Sequence, residues 1–190
     1  MASKAYRRKK DPEQVRRALL DCAERIAVQE GLAGVTIQAI ADAAGVTKGG
    51  LFHHFPSKQA LWEGIFMDML EALDTEIEAH MAQDRHAYGR FTRAYVAAIL
   101  SEVGLGVRSP RAVLSVAIAG EKSLDALWAG WLAARLKRYQ ETDGDPMHEI
   151  VRFAADGAWM AYLGAQEVPD LEALRDRLFA LTTQPIRATC

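Results

Sequence analysis

The sequence predicts an all-α protein of about nine helices, three in a small N-terminal unit and the rest in a larger C-terminal helical bundle. Three observations carry this. No stretch of the chain sustains period-2 alternation of apolar and polar residues. Glycine and proline punctuation divides it into segments of about 8 to 25 residues, the right length for helices. Several segments begin with a proline in the first turn, behind a residue able to cap a helix.

The first helix starts at DPEQ, with Asp11 as N-cap, Pro12 at the first helical position and Gln14 closing a capping box. Val15, Leu19, Cys22 and Ile26 recur on its inward side, and Gly31 stops it. Thr36 caps a short second helix, IQAIADAAG, with Ile37, Ile40, Ala41 and Ala44 on one face; Gly45 ends it and Thr47 caps a third. Ser57, after Pro56, starts a long fourth helix from Lys58 to about Met81, expected to join the two parts rigidly. Helices are further expected near 86–103, 110–120, 122–141, 146–165 and 169–182.

Charge is distributed unevenly. Residues 1–60 hold 10 Lys/Arg against 6 Asp/Glu, a net of +4, whereas residues 61–190 carry −6. The chain opens on MASKAYRRKK, with five positive charges and no acid. Opposite signs on two parts point to a polyanion-binding end and an end with another task; the alternative is a solvated basic tail. Cys22 and Cys190 cannot form a disulfide framework and show no metal-ligand spacing, which fits a reducing cytoplasm. No apolar run follows the basic start, so no signal peptide is expected. The most apolar stretch, FAADGAWMAYLG, is too short for a membrane span, which needs roughly 20 residues.

The run TIQAIADAAGVTKGGLFHHF places two short helices around a glycine-centred turn, the pattern of a helix-turn-helix whose second helix enters the major groove. Ala41, four residues before Gly45, is small enough to let the helices approach, and Val46 and Leu51 fill the angle between them. On the third helix, the 100° period puts Leu51 and Phe55 inward, with Gly49 and His53 nearly opposite and Gly50 beside them. Phe52 and His54 fall on the flanks. Each glycine costs a helix up to about 1 kcal/mol against alanine. No packing on the outer face asks for a small residue, so close approach of DNA explains Gly49, and phosphates are favoured at a helix start. The alternative is that KGG is a frayed start. His53 and His54 point about 100° apart and do not suit one metal ion, so no metal site is expected there.

TIQAIADAAGVTKGGLFHHFPSKQALW resembles the DNA-binding signature of the TetR family of bacterial transcriptional repressors, over about residues 12–62. The resemblance rests on AGVTKG, the following Leu-aromatic pair, HF and SK. It implies an all-helical homodimer, with residues 1–57 as arm and helix-turn-helix domain and residues 58–190 for effector binding and dimerisation. It places phosphate or base contacts on Thr36, Thr47, Lys48, Gly49, Phe52, His53, His54 and Lys58. One residue departs from the family pattern: Phe52 stands where a phosphate-binding tyrosine is common. Without a hydroxyl it is left with sugar or thymine-methyl contacts, and phosphate duty shifts to His53, His54 and Lys58.

In the larger part, FAADGAWMAYLG sets Ala154, Gly157 or Ala158, Ala161 and Ala165 along one side, with Phe153, Met160 and Leu163 among its bulky residues. A helix apolar nearly all round must be covered nearly all round. Leu171, Leu174, Leu178 and Leu181 stripe the last helix. The two suit a four-helix dimer interface, as the resemblance also implies; the alternative is that they complete a monomeric core. Arg152 and Asp156 are expected to pair at i, i+4. Tyr95, Trp128, Trp131, Trp159 and Tyr162 are candidate lining for an effector pocket, favouring a hydrophobic or aromatic compound, and are equally ordinary core residues. Glu76 and His80 share a helix face, and a solvated pair is expected. No GxSxG, HExxH, P-loop or Rossmann fingerprint is present, nor the Glu-x-x-His pairs of a di-iron bundle, so neither an enzyme nor a cofactor is expected. The sequence thus reads as a ligand-responsive repressor on a double-stranded DNA operator. The competing reading is an effector-independent architectural or chromosome-organising DNA binder.

Overall fold

The computed structural model describes residues 11–101, 122–163 and 170–183. Nine helices lie among them: α1 Pro12–Gly34, α2 Ile37–Ala44, α3 Lys48–His54, α4 Lys58–Gln83, α5 Arg90–Ile99, α6 Lys122–Arg138, α7 Gln140–Asp143, α8 Pro146–Leu163 and α9 Leu171–Leu181. The chain forms two compact units, Met1–Ile65 and Phe66–Cys190, with the boundary inside α4. The basic arm, the helix expected at 110–120 and Ala165 fall outside the described residues. No helix among the described residues is long and apolar enough to cross a membrane.

In the first unit, Asp11 caps α1 by accepting from the Glu13 N–H at 3.1 Å. Among the described residues no return bond from Gln14 completes the expected capping box. Gly31, at φ 73°, breaks the helical run where the sequence places its end, and a further turn carries the chain to Gly34. Leu19, Ala23, Val35, Ile40, Ala41, Leu51 and Phe55 are fully buried where α1, α2 and α3 pack together. One residue within α4 escaped the sequence reading. A Cβ on Gly64 would lie 2.7 Å from the Phe55 ring, so glycine is what allows this turn of α4 to seat against that side chain.

In the second unit α5 is central. All its residues but Arg90 and Ala97 are buried, and α7, α8 and α9 pack on it. The helix expected over 122–141 is interrupted at Tyr139, whose ring stacks on Phe91 at 5.0 Å. Beyond the interruption, Asp143 accepts from the Phe91 and Thr92 N–H groups at 3.3 and 2.7 Å. It thereby caps α5, whose own cap position, Gly89, has no side chain to offer. Gly89 is doubly required, with φ 70° and no room for a Cβ, which would sit 2.7 Å from the Thr182 carbonyl. The Arg93 guanidinium donates to Asp84 at 2.7 Å, to the His86 and Tyr88 carbonyls, and to the Thr182 carbonyl at 3.1 Å. One buried cation thus ties the approach to α5 to the end of α9.

The expected Arg152–Asp156 pair takes a different form. Arg152 donates to Thr92 Oγ1 at 2.8 Å, and Asp156 accepts from the Tyr95 hydroxyl at 2.6 Å. Both acceptor and donor lie on α5, while the Arg152 and Asp156 charges still act on each other as the spacing predicts. Burial pushes the Asp156 carboxyl above its ordinary range, against the Tyr95 hydrogen bond and the Arg152 charge. The last helix starts at Leu171, with Asp170 as its cap rather than Pro169 in its first turn; Asp170 accepts from the Glu172 and Ala173 N–H groups.

Candidate nucleic-acid interface

The site is built from three capped helix starts. Thr36 begins α2 and accepts from Ala39 N–H at 3.1 Å. Gly45 ends α2 in the left-handed region at φ 63°. Its N–H reaches the Asp42 carbonyl, and the Val46 N–H reaches the Ala41 carbonyl at 2.9 Å, closing a Schellman motif. Thr47 then begins α3, accepting from Gly50 N–H at 3.0 Å. Each threonine oxygen accepts one bond from its own helix, which orients the hydroxyl while its O–H proton can still be donated to a phosphate.

Leu51 and Phe55, 0% and 1% exposed, fix the inward side of α3. That leaves Thr47, Lys48, Gly49, Phe52 and His53 exposed, while His54 and Gly50 are half-buried. The His53 and His54 rings meet edge-on with centroids 5.5 Å apart. Thr36 and Lys58 are exposed at the starts of α2 and α4, and the Lys58 ammonium lies 5.7 Å from the Trp62 ring. The eight sequence-derived residues therefore fall on α3 and on the starts of the helices flanking it. Ser57 shares this setting and was not among them; it caps α4 by accepting from Ala60 N–H at 3.0 Å. The SK pair was its signal.

The two glycines separate. A Cβ on Gly49 would come no nearer than 3.9 Å to any group, Thr47 Oγ1. One on Gly50 would lie 3.3 Å from that same oxygen and 3.7 Å from the Val46 Cβ. The expectation that neither glycine has an internal reason to be small thus holds for Gly49 and fails for Gly50, whose neighbour is the capping hydroxyl.

The five candidate pocket aromatics divide. Tyr95 is fully buried, and burial together with Asp156 pushes its hydroxyl well above the ordinary range. Trp131 is buried, stacks on Trp128 at 5.1 Å and donates to Asp74 at 3.1 Å. Arg135 lies over the Trp131 ring and pairs with the same carboxylate. Trp159 and Tyr162 are half-buried on α8. A cleft of about 360 Å³ opens elsewhere, lined by the end of α6, α7 and the start of α8, including Lys137, Asp143, Glu149 and Arg152; none of the five aromatics lines it.

Comparison with known proteins agrees with this architecture. The profile described as "Bacterial regulatory proteins, tetR family" matches residues 19–65, and that described as "Tetracyclin repressor-like, C-terminal domain" matches residues 89–183. The HTH-type transcriptional repressor KstR2 of Rhodococcus jostii (strain RHA1) is 26% identical over 162 residues, 77% of each chain. KstR2 of Mycolicibacterium smegmatis is 39% identical over 62 residues, 33% of this chain and 30% of that one. The crystal structure of the multidrug binding protein EbrR with imidazole shares the fold, at a TM-score of 0.69 and 22% identity over 93% of both chains. With two profiles covering both units and a helix-turn-helix that presents an open outer face, the chain belongs to the TetR family of DNA-binding transcriptional regulators.

Proposed function

We propose that the protein is a cytoplasmic repressor that binds a palindromic operator as a homodimer and is released by a small hydrophobic or aromatic effector. The observation that carries the operator half is the outer face of α3: exposed side chains around a glycine that nothing inside the protein requires. Residues 1–57 act in DNA binding and residues 58–190 in dimerisation and effector binding. KstR2 is named a repressor, and EbrR was solved with imidazole, malachite green and ethidium, which supports a regulator answering to compact ring compounds. The paired rings of Trp128 and Trp131 and the half-buried Trp159 and Tyr162 are the side chains suited to such a ligand.

Dimerisation is assigned to α8 and α9. Val151, Arg152 and Ala155 face the core of the chain, while Ile150, Phe153 and Met160 on the other side are 58%, 66% and 54% exposed. Leu181 on α9 is 47% exposed. An exposed apolar face of this kind along α8 calls for a partner, and a second copy satisfies it by two-fold symmetry.

Lys58 tests the DNA surface. If it meets only phosphate, Lys58→Ala weakens binding to every duplex and lowers the slope of log affinity against log salt by about 1. Deleting residues 1–10 lowers the slope further. Titrations over a salt series check this; an unchanged slope in both variants removes the basic end from the interface.

Effector coupling is tested by reciprocity. Aromatic compounds that raise the melting temperature should release operator, and operator should weaken their binding by the same factor, typically 5–150-fold. Calorimetry with and without a duplex selected from a randomised pool measures both arms. Equal effector affinity in the two would leave an effector-independent DNA binder as the better reading.

A further inference from the structure

The cleft of about 360 Å³ between the end of α6, α7 and the start of α8 holds a charge that the fold leaves short of partners. Two of the three acids that line it, Asp143 and Asp145, are already engaged. Asp143 accepts from the Phe91 and Thr92 N–H groups and, at 2.8 Å, from the Thr142 hydroxyl. Its charge thus serves the start of α5, where a helix favours an anion. Asp145 accepts from the Met147 N–H at 2.8 Å and from the Tyr88 hydroxyl at 2.7 Å. Arg152 is in the opposite position. It lines the same cleft and is only 7% exposed. Among the described residues its one hydrogen bond goes to Thr92 Oγ1, and no carboxylate stands within the roughly 4 Å of an ion pair. Burial pulls it below the ordinary arginine range, against the charges of Asp143, Glu149 and Asp156 further off. A guanidinium carries five N–H donors, and a buried one left short of acceptors is destabilising.

We infer that this cleft is a binding site for a small aliphatic carboxylate, separate from the aromatic side chains assigned to the effector. The ligand's two oxygens meet the remaining N–H donors of Arg152, whose planar fork matches a carboxylate. Lys137, exposed on the rim, adds a second positive charge, and Leu136 and Pro146 give the alkyl part an apolar wall. Glu149, exposed on the same rim, sets a limit on the charge the cleft accepts. With three acids in the lining a second negative charge is repelled, so a monoanion with an alkyl tail is favoured over phosphate. The volume lies toward the small end of ligand pockets, which span roughly 300–1,000 Å³, so the acid is small.

Titration calorimetry on the full chain at low salt, with 4-methylpentanoate as the probe, tests the site. The acid should bind saturably, one per chain. The neutral 4-methylpentanamide should bind about tenfold more weakly or worse, because it forgoes the charge on its hydrogen bonds to Arg152. Inorganic phosphate should also bind more weakly than the acid. Arg152→Gln keeps a donor for Thr92 and should abolish the preference for acid over amide. Lys137→Gln and Glu149→Gln lie at exposed positions and should melt with the parent. The first should weaken the acid about threefold and the second should tighten it about threefold, the effect of one charge about 6 Å away in water. If Arg152→Gln loses helicity, the two rim variants decide alone. Four results would overturn the site: no saturable binding of the acid, equal binding of acid and amide, phosphate binding as tightly as the acid, or affinities unmoved by both rim substitutions. The operator and aromatic-effector readings stand in each case.

Discussion

Phe153→Arg should turn the proposed dimer into a monomer and cost most of the operator affinity. Among the described residues Phe153 is the most exposed of the large apolar side chains, at 66%, and lies between Ile150 and Met160 on the outer side of α8. In a two-fold interface the substitution is present twice, and a central aromatic anchor is worth about 2 kcal/mol or more at each copy. Dimerisation should therefore weaken about a thousandfold. A monomer holds one half-site, so operator affinity should fall toward the non-specific level, on the order of a thousandfold. Because the side chain is exposed within its own chain, helicity should be retained. Analytical ultracentrifugation over a concentration series decides the matter; a Phe153→Arg protein that sediments as the parent does would move the dimer interface elsewhere.

Gly49→Ala should separate stability from function. Gly49 sits in the first turn of α3 with nothing close to its missing Cβ. Alanine there should leave the melting temperature unchanged or raise it, by up to about 1 kcal/mol of stability. In the proposed complex the added methyl would stand where the helix meets the groove. A loss of about 1 kcal/mol at each half-site, the low end for a disturbed base contact, weakens a dimer about 30-fold. Gly50→Ala should behave differently. Its Cβ would press on Thr47 Oγ1 at 3.3 Å, the oxygen that caps α3, so the propensity gain is offset where the first turn must shift. Melting curves and operator titrations on the two variants provide the comparison. Undiminished operator binding by Gly49→Ala would show that no surface approaches that backbone.

The helix-turn-helix was legible because its determinants are local. Thr36, Gly45 and Thr47 each act within about five residues of themselves, and the inward placement of Leu51 and Phe55 follows from the helical period alone. The starts of α1, α4 and α8 were legible for the same reason, each being a capping residue read from its neighbours. The apolar character of α8 was equally plain. Which of its sides lies inside the chain was not, since that depends on where α5 passes.

Elsewhere the sequence was silent because the partner is distant in the chain. Asp143 caps α5 across an interval of about fifty residues, and Arg93 reaches Thr182 across nearly ninety. Arg152 and Asp156 satisfy local spacing for a pair and feel each other's charge, yet their hydrogen bonds go to Thr92 and Tyr95, which only packing brings beside them. The small size of Gly64 answers to Phe55, a contact that exists only once α4 has packed against that ring, whereas Gly50 answers to Thr47 within its own first turn. The sequence by itself determined the helices of the first unit, the local caps at Asp11, Thr36, Thr47, Ser57 and Asp145, and the outward face of α3, since these depend on periodicity and on hydrogen bonds within one turn. The tertiary structure alone decided the break before α7, the buried ionic partners and the exposed side of α8, since each depends on which distant segment occupies the adjoining space.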